Sequence, residues 1–523
     1  MRRTWNSDGD GGGRRARSLT PRALAGSLVA IAIGLGAATP LAAQGYRVHL
    51  DTRMQSVAYR GIQAESVAVS AIVTRPDGST YTPDGYAAIC YQGATMCTYY
   101  VAGPSERGVP VVTSADFSIW GLGVPGLSIR GSTRMGFDAG TADVWPGTKP
   151  AMQLLSGYLQ YVTDAFTAEL GRTYVTNRFG FHGFDGIKAT GRAFSDQLSA
   201  TAYGGWGLAN DVALPVNSPA LQPLDEYQPQ DRQWIAGGEV ALRLPRFTGR
   251  VLYERQVDRR SDYFVSERTG FDVSMRPVDR LTFTGGADYD LAEQWWGTWQ
   301  LSANYILPHD YASATVGVKR YRPFFELWTI WGAFSPVPYL SKYAALEVHP
   351  TSKISLNTRG EIYAYDNASV STPLSSVDST GWRWSLGATV LPVPSVSLQW
   401  NYHLDFGPGA SDRGFEAYAT WTPTRALMVS GQLAKLQRPL EFRYDESDVW
   451  AYGLSGSYRM IRGLQFDLSV LRYQESRIRP DANVFDWNQF RINAGVSMTF
   501  GSGADRPDLP DAILRIPDVG GKR

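Results

Sequence analysis

His403 and Asp405 come nearest to a catalytic pairing in this chain. On an extended segment, residues two apart point the same way, and a carboxylate beside an imidazole can orient a general base. Spacing brings no serine nucleophile to them. The other four of the five histidines are scattered: His49 in a first strand, His182 in an outer connection, His309 and His349 in turns. Cys90 and Cys97 share one loop-like segment with no histidine nearby, too few ligands for a metal. Export favours a disulfide between them, closing a small ring. Gly121-Leu122-Gly123-Val124-Pro125-Gly126 spells G-x-G-x-x-G, but strand-like alternation follows it and Pro125 lies inside it, so it reads as a hairpin turn rather than a phosphate cradle. No catalytic residue, metal or cofactor is expected.

A second set of candidates is defined by position. Arg130, Arg134, Lys188, Arg192, Arg243, Lys319, Arg359, Arg459 and Arg491 fall on the polar sides of alternating segments. So do Glu169, Glu239, Asp288, Glu347, Glu361, Asp405, Glu416 and Asp467. The signs nearly balance. A phosphate-selective pore would want a ladder of Arg and Lys, and a cation pore a ring of carboxylates. Two readings stay open. Opposed sets could impose a transverse field across a lumen, or the residues could pair along its wall as solvated ion pairs worth little each.

The elements that carry these residues are strands. From Phe490 to Phe500 every second residue is apolar, with Arg491, Asn493, Gly495, Ser497 and Thr499 between. Similar two-faced segments begin at Leu127, Ile187, Trp234, Trp299, Leu398 and Leu464. A period of two puts the sets on opposite faces, and alternating segments of about ten residues separated by turns are the pattern of a membrane-spanning barrel. Sandwich strands are usually about five or six residues. A mean hydropathy of −0.23 fits two faces that cancel. The 28 Tyr, 21 Phe and 16 Trp suit aromatic girdles at two interfaces. With a net charge of +1, no nucleic acid or other strongly charged partner is implied.

The long apolar run lies at the start. Arg14, Arg15, Arg17 and Arg22 precede Ala23–Ala38, and Thr39-Pro40-Leu41-Ala42-Ala43-Gln44 follows, which reads as a signal peptide over 1–43 cut after Ala43. The barrel is expected over 44–500 and a periplasmic tail over 501–523. Short turns rich in Pro, Gly and Asp alternate with longer connections such as Asp211–Asp231, Arg322–Tyr339, Asp366–Thr380 and Arg477–Phe485. Counting gives a strand near Tyr46–Arg60, a long first extracellular loop over 61–111, ten hairpins, and a closing strand near Phe485–Phe500. The fold class is therefore all-β, a transmembrane antiparallel barrel of about 22 strands, roughly 18 to 24. Glu65–Val73 alternates weakly and could extend or add a hairpin. Few residues separate the signal peptide from Tyr46, so no N-terminal plug is expected. The first loop, pinned by Cys90 and Cys97, either folds into the lumen or caps the surface.

With its signal peptide, two-faced strands and terminal Ala494-Gly495-Val496-Ser497-Met498-Thr499-Phe500, the chain resembles the outer-membrane β-barrel porins of Gram-negative-type bacteria. Ala168-Glu169-Leu170-Gly171-Arg172 and Gly183-Phe184-Asp185-Gly186 locally resemble alginate-export and related substrate-specific porins. The resemblance implies an outer-membrane location, contact with outer-membrane lipid, and passage of small hydrophilic solutes. It also implies that Phe500 belongs to the signal read by the barrel-assembly machinery, although here a tail follows it. Porin-like barrels occur as trimers and as monomers, so a homotrimer is one assembly it allows. The expected function is a passive channel. The rivals are a barrel for polysaccharide export or surface assembly, and an outer-membrane hydrolase using His403.

Overall fold

The computed structural model describes residues 45–76, 78–140, 152–208, 233–257, 264–322, 338–366, 380–407, 410–441, 445–461, 463–478 and 487–502. The expected signal peptide and nearly all of the expected tail lie outside them, as do most of the long connections.

The described residues are strand almost throughout. β1 spans Gly45–Ala68, and the short β2 (Val73–Thr74), β3 (Thr80–Tyr81) and β4 (Ala88–Ile89) follow. Next come β5 (Met96–Gly108), β6 (Pro110–Trp120), β7 (Leu127–Asp138), β8 (Met152–Val162) and β9 (Phe166–Asn177). The series continues with β10 (Gly180–Ala193), β11 (Leu198–Gly207), β12 (Trp234–Leu244), β13 (Phe247–Val257), β14 (Phe264–Val278) and β15 (Leu281–Asp290). Then come β16 (Trp295–Ile306), β17 (Ala312–Tyr321), β18 (Tyr339–Thr351), β19 (Ile354–Tyr365), β20 (Thr380–Val393) and β21 (Val396–Gly407). The last are β22 (Ala410–Trp421), β23 (Leu427–Glu441), β24 (Asp445–Ile461), β25 (Leu464–Ile478) and β26 (Trp487–Ser502).

β6 to β26 pair in chain order, each antiparallel to the next, and β1 pairs with both β6 and β26. The result is a closed barrel of 22 strands. Closure runs from Tyr46↔Ser502 to Ser56↔Ile492, so the two ends of the described chain supply the last ladder of hydrogen bonds.

The period of two sorts the faces. On β13, Val251 is 59% exposed while its neighbour Leu252 is 1% exposed. Val240, Leu301, Val316, Ile362, Leu454 and Leu468 are exposed on the same outer side. An apolar exterior of this extent is stable only in hydrocarbon. Aromatic residues bound this belt: Trp234, Trp296, Trp382, Phe406 and Phe490 at one end, and Tyr46, Tyr161, Tyr305, Trp421, Tyr458 and Phe500 at the other. On β26 the two girdles are Phe490 and Phe500. Ten steps of about 3.3 Å, tilted by about 40°, give a height of about 25 Å, the thickness of the hydrocarbon such barrels cross.

The span 61–111, expected as one loop, is mostly a ribbon. β1 outruns its barrel partners and pairs with β5 from Val57↔Gly108 to Ala68↔Met96. Gln63–Ser66 and Pro104–Arg107 are exposed on both faces. Pro104, which has no N–H to give, sits where β5 continues past the end of β7. At the tip Cys90 and Cys97 form a disulfide that clips β4 to β5.

If hydrocarbon is the outer solvent, Leu454→Arg will cost about 2–4 kcal/mol near the midplane of the belt, whereas arginine at the inward Ser457 will cost far less. Urea unfolding of the protein refolded into lipid vesicles measures both; equal costs would refute the sidedness.

Candidate functional site

The pairing registers put the charged residues expected to line a pore on the face opposite the apolar belt. Many of them form ion pairs or share one. Lys188 Nζ lies 2.7 Å from Glu169 Oε2. Arg359 Nη2 lies 3.0 Å from Glu361, and Arg383 joins that carboxylate (3.7 Å) to Asp405 (2.7 Å). Glu239 lies 3.7 Å from Arg250 and Asp288 3.4 Å from Arg178. Arg192 donates to Thr167 Oγ1 at 2.9 Å and Asp467 accepts from Gln465 at 3.1 Å. Lys319 stands over the Tyr321 ring (4.9 Å), and Arg491 donates to Gln489. Nε and Nη2 of Arg130 are buried with no hydrogen-bond partner. Arg134, Arg243 and Glu416 share the face through the rows Ser114↔Arg134, Arg243↔Thr248 and Asn401↔Glu416.

The expected His403–Asp405 pairing does not form. Asp405 accepts from Arg383 Nε (2.7 Å) and Tyr363 Oη (3.1 Å), while His403 lies 3.5 Å from Asp412 on β22. A neighbouring guanidinium is the stronger claimant for a carboxylate.

The densest part of the wall was not foreseen. His182 lies in β10, not in an outer loop, and is buried. The turn that joins β9 to β10 is short, and its tip reaches strands far along the wall. Arg178 Nη1 meets Asp272 Oδ1 on β14 at 2.6 Å, Nη2 donates to the Thr298 carbonyl on β16 at 3.1 Å, and Nε lies 3.4 Å from Asp288 on β15. The Phe179 carbonyl accepts from Arg268, whose guanidinium also lies 4.8 Å from the Phe179 ring. β10 and β15 are five strands apart, about 24 Å along a wall of about 4.8 Å per strand, more than an arginine can span. The hairpin tip therefore leans inward and crosses the inner face of β11 to β13.

Under it is a small interior. Phe184, fully buried, stacks on Tyr203 at 5.6 Å beside Ile235 and Val175. Glu254, 1% exposed, accepts from Tyr203 Oη (2.8 Å) and Gln256 (3.0 Å) and faces His182 (3.3 Å) and Arg268 (3.8 Å). A buried carboxylate is tolerated when it is paired and hydrogen-bonded on all sides.

Glycine makes the crossing possible. Gly171, Gly186 and Gly205 pair directly across β9, β10 and β11, all on the inner face. A Cβ on Gly186 would overlap the Gly204 carbonyl, and one on Gly205 the Asp185 carbonyl. Gly171 has φ +129°, a conformation that side chains disfavour. Strands can fold toward a face only where that face carries no side chains. On the receiving wall Gly286 leaves the space that the Arg178 guanidinium fills; a Cβ there would lie 2.6 Å from Nη1 and 2.5 Å from Asp272 Oδ1. The spacing of Gly171, Gly186 and Gly205 was visible in the sequence, but their alignment depends on register.

A closed antiparallel barrel with an apolar belt outside and charged walls inside has the form of a membrane-spanning β-barrel, in which every strand of the wall is paired on both sides. No protein-family model and no curated relative matches the chain. Among solved structures it is similar to a mutant of the ferric enterobactin receptor PfeA from Pseudomonas aeruginosa, with TM-score 0.49 and 11% identity over 87% of this chain and 81% of that one. It is also similar to OpdK from Pseudomonas aeruginosa, with TM-score 0.37 and 9% identity over 87% and 99%. A BenF-like porin from Pseudomonas fluorescens aligns at TM-score 0.39 and 10% identity over 87% and 99%.

Removing one partner of a buried ion pair costs about 3–5 kcal/mol, so Arg178→Ala is expected to destabilise the folded barrel by an amount in or below that range. Gly286→Val evicts the same guanidinium. The double variant should then cost little more than either single one in urea titrations, and strict additivity would show that Arg178 does not depend on the Gly286 seat.

Proposed function

We propose that the chain is an unplugged outer-membrane channel through which small hydrophilic solutes diffuse passively. The observation that carries this reading is the size of the closed barrel. Twenty-two strands enclose more space than their own inward side chains fill. The inner face is charged and hydroxylated, which suits water and hydrated solutes. The charges of that face pair with one another in many places, so they favour neither sign of ion strongly. The solute limit in this reading is set by width, and the infolded β9–β10 tip is what narrows the passage. The charged residues named above line the path.

The ribbon of β1 and β5 stands, in this reading, on the extracellular side. It shares that end with the longer connections, while the short turns and both chain ends face the periplasm. Phe500, in the closing strand, is the residue proposed for the assembly machinery to read.

Purified protein in planar bilayers should give a steady, ohmic conductance of weak ion selectivity. Liposomes that contain it should swell in sugars up to a sharp size limit. A folded, inserted protein that passes neither ions nor sugars would refute the channel. Because the ribbon is exposed on both faces, reduction of Cys90–Cys97 should leave the conductance unchanged; a change on adding reductant would place that segment in the lumen.

A further inference from the structure

We infer that the β9–β10 tip is a hinged gate: it folds at the glycine row Gly171–Gly186–Gly205 and is latched shut by Arg178 on Asp272 and Asp288. This rests on the channel reading and adds motion to it. The row without inner side chains lies between two packed regions. On one side of it Lys188 and Glu169 are 2.7 Å apart, and Phe184 on the other side reaches back over it to stack on Tyr203, which pairs with Lys188. Bending along that line meets no side chain of the row itself, and it parts Phe184 from Tyr203 and Thr173 from Glu169, a hydrogen bond of 2.6 Å.

The contacts beyond that line are made by side chains. They include the Arg178 ion pairs and its bond to the Thr298 carbonyl, Phe179 with Arg268 and Gly270, Asn177 with Tyr203, His182 with Glu254 and Gln256, and Phe184 against Tyr203 and Ile235. No β-ladder joins the tip to β13–β16. The wall also keeps its partners when the tip leaves. Asp272 retains Arg250 at 2.8 Å, Asp288 retains the Thr298 amide at 3.1 Å, and Glu254 retains Tyr203 and Gln256. Arg178 would pass into the water of the lumen. The wall carboxylates Asp272, Asp288 and Glu254 thus keep a partner in both positions, as a two-state element requires. A tip whose departure stranded a buried carboxylate would instead be fixed.

Single-channel recording in planar bilayers on the full chain, with Arg178→Ala and Gly186→Val variants, tests the gate. Folding of each is checked by its heat-dependent migration on SDS gels. The native protein should switch between two levels, with Arg178→Ala shifting occupancy at least tenfold toward the larger. Gly186→Val, which blocks the crease, should hold the larger level. A second measurement does not need conductance. Phe179 is buried beneath the closed tip and both native cysteines are in the disulfide. Phe179→Cys should react with a membrane-impermeant maleimide slowly alone and at least tenfold faster beside Arg178→Ala. Equal labelling rates together with an unchanged single conductance level would overturn the gate and leave a channel with a fixed constriction. Accelerated labelling in a protein that conducts nothing would overturn the channel and leave the moving tip.

Discussion

The rest of this structure depends on a single requirement: no strand edge can be left open to hydrocarbon. An unpaired N–H or C=O in lipid costs several kcal/mol, and a strand of ten residues would carry a row of them. The ladder between β1 and β26 is what meets the requirement. It joins the beginning and the end of the described chain, so no smaller set of hairpins is stable in the membrane by itself. The parity of the strand count, the alternation on each strand and the position of Phe500 within the last ladder follow from the need to close.

Closure at this width creates the opposite difficulty inside. The inner wall is polar because water covers it, yet a wide water-filled lumen offers nothing for an inward apolar side chain to pack on. Leu252, Phe184 and Ile235 point inward and are nevertheless buried. They are buried because the β9–β10 tip returns across them, so the protein builds a small soluble-style core on the inner surface of a membrane barrel. Charged groups around that core behave as they would in any interior. Glu254 has four neighbours able to satisfy it, whereas an ion pair on the open wall such as Arg53–Asp51, with side chains 77% and 25% exposed, contributes little.

The outer face was legible in the sequence because lipid constrains it with one simple rule. Phe490 to Phe500 alternates without a fault, and the registers of β20, β21 and β22 place Arg383, Asp405 and Glu416 on the side that alternation assigns. The inner constellations were not legible, since they join residues far apart in the chain. Arg178 and Asp272 are 94 positions apart, and nothing local to either announces the other. His182 was misplaced because a run containing Gly180 and Gly183 reads as a loop. Glycine breaks alternation whether it ends a strand or bends one. The ribbon of β1 and β5 was only faintly legible for a related reason: the alternation of Glu65–Val73 is weak because both faces of the ribbon meet the same solvent.

That difference separates the two kinds of glycine in this chain. Gly123, Gly126 and Gly463 sit in turns with positive φ and serve the backbone alone. Gly171, Gly186 and Gly205 are aligned by register on one face of three neighbouring strands, and their missing side chains let the wall fold toward the lumen. A single glycine in a strand only weakens it. Three in one row give the sheet a line along which bending meets no side chain, and the residues past that line are the ones that reach β14, β15 and β16. Which residues touch across the lumen is therefore decided by register, one step above what local sequence pattern expresses.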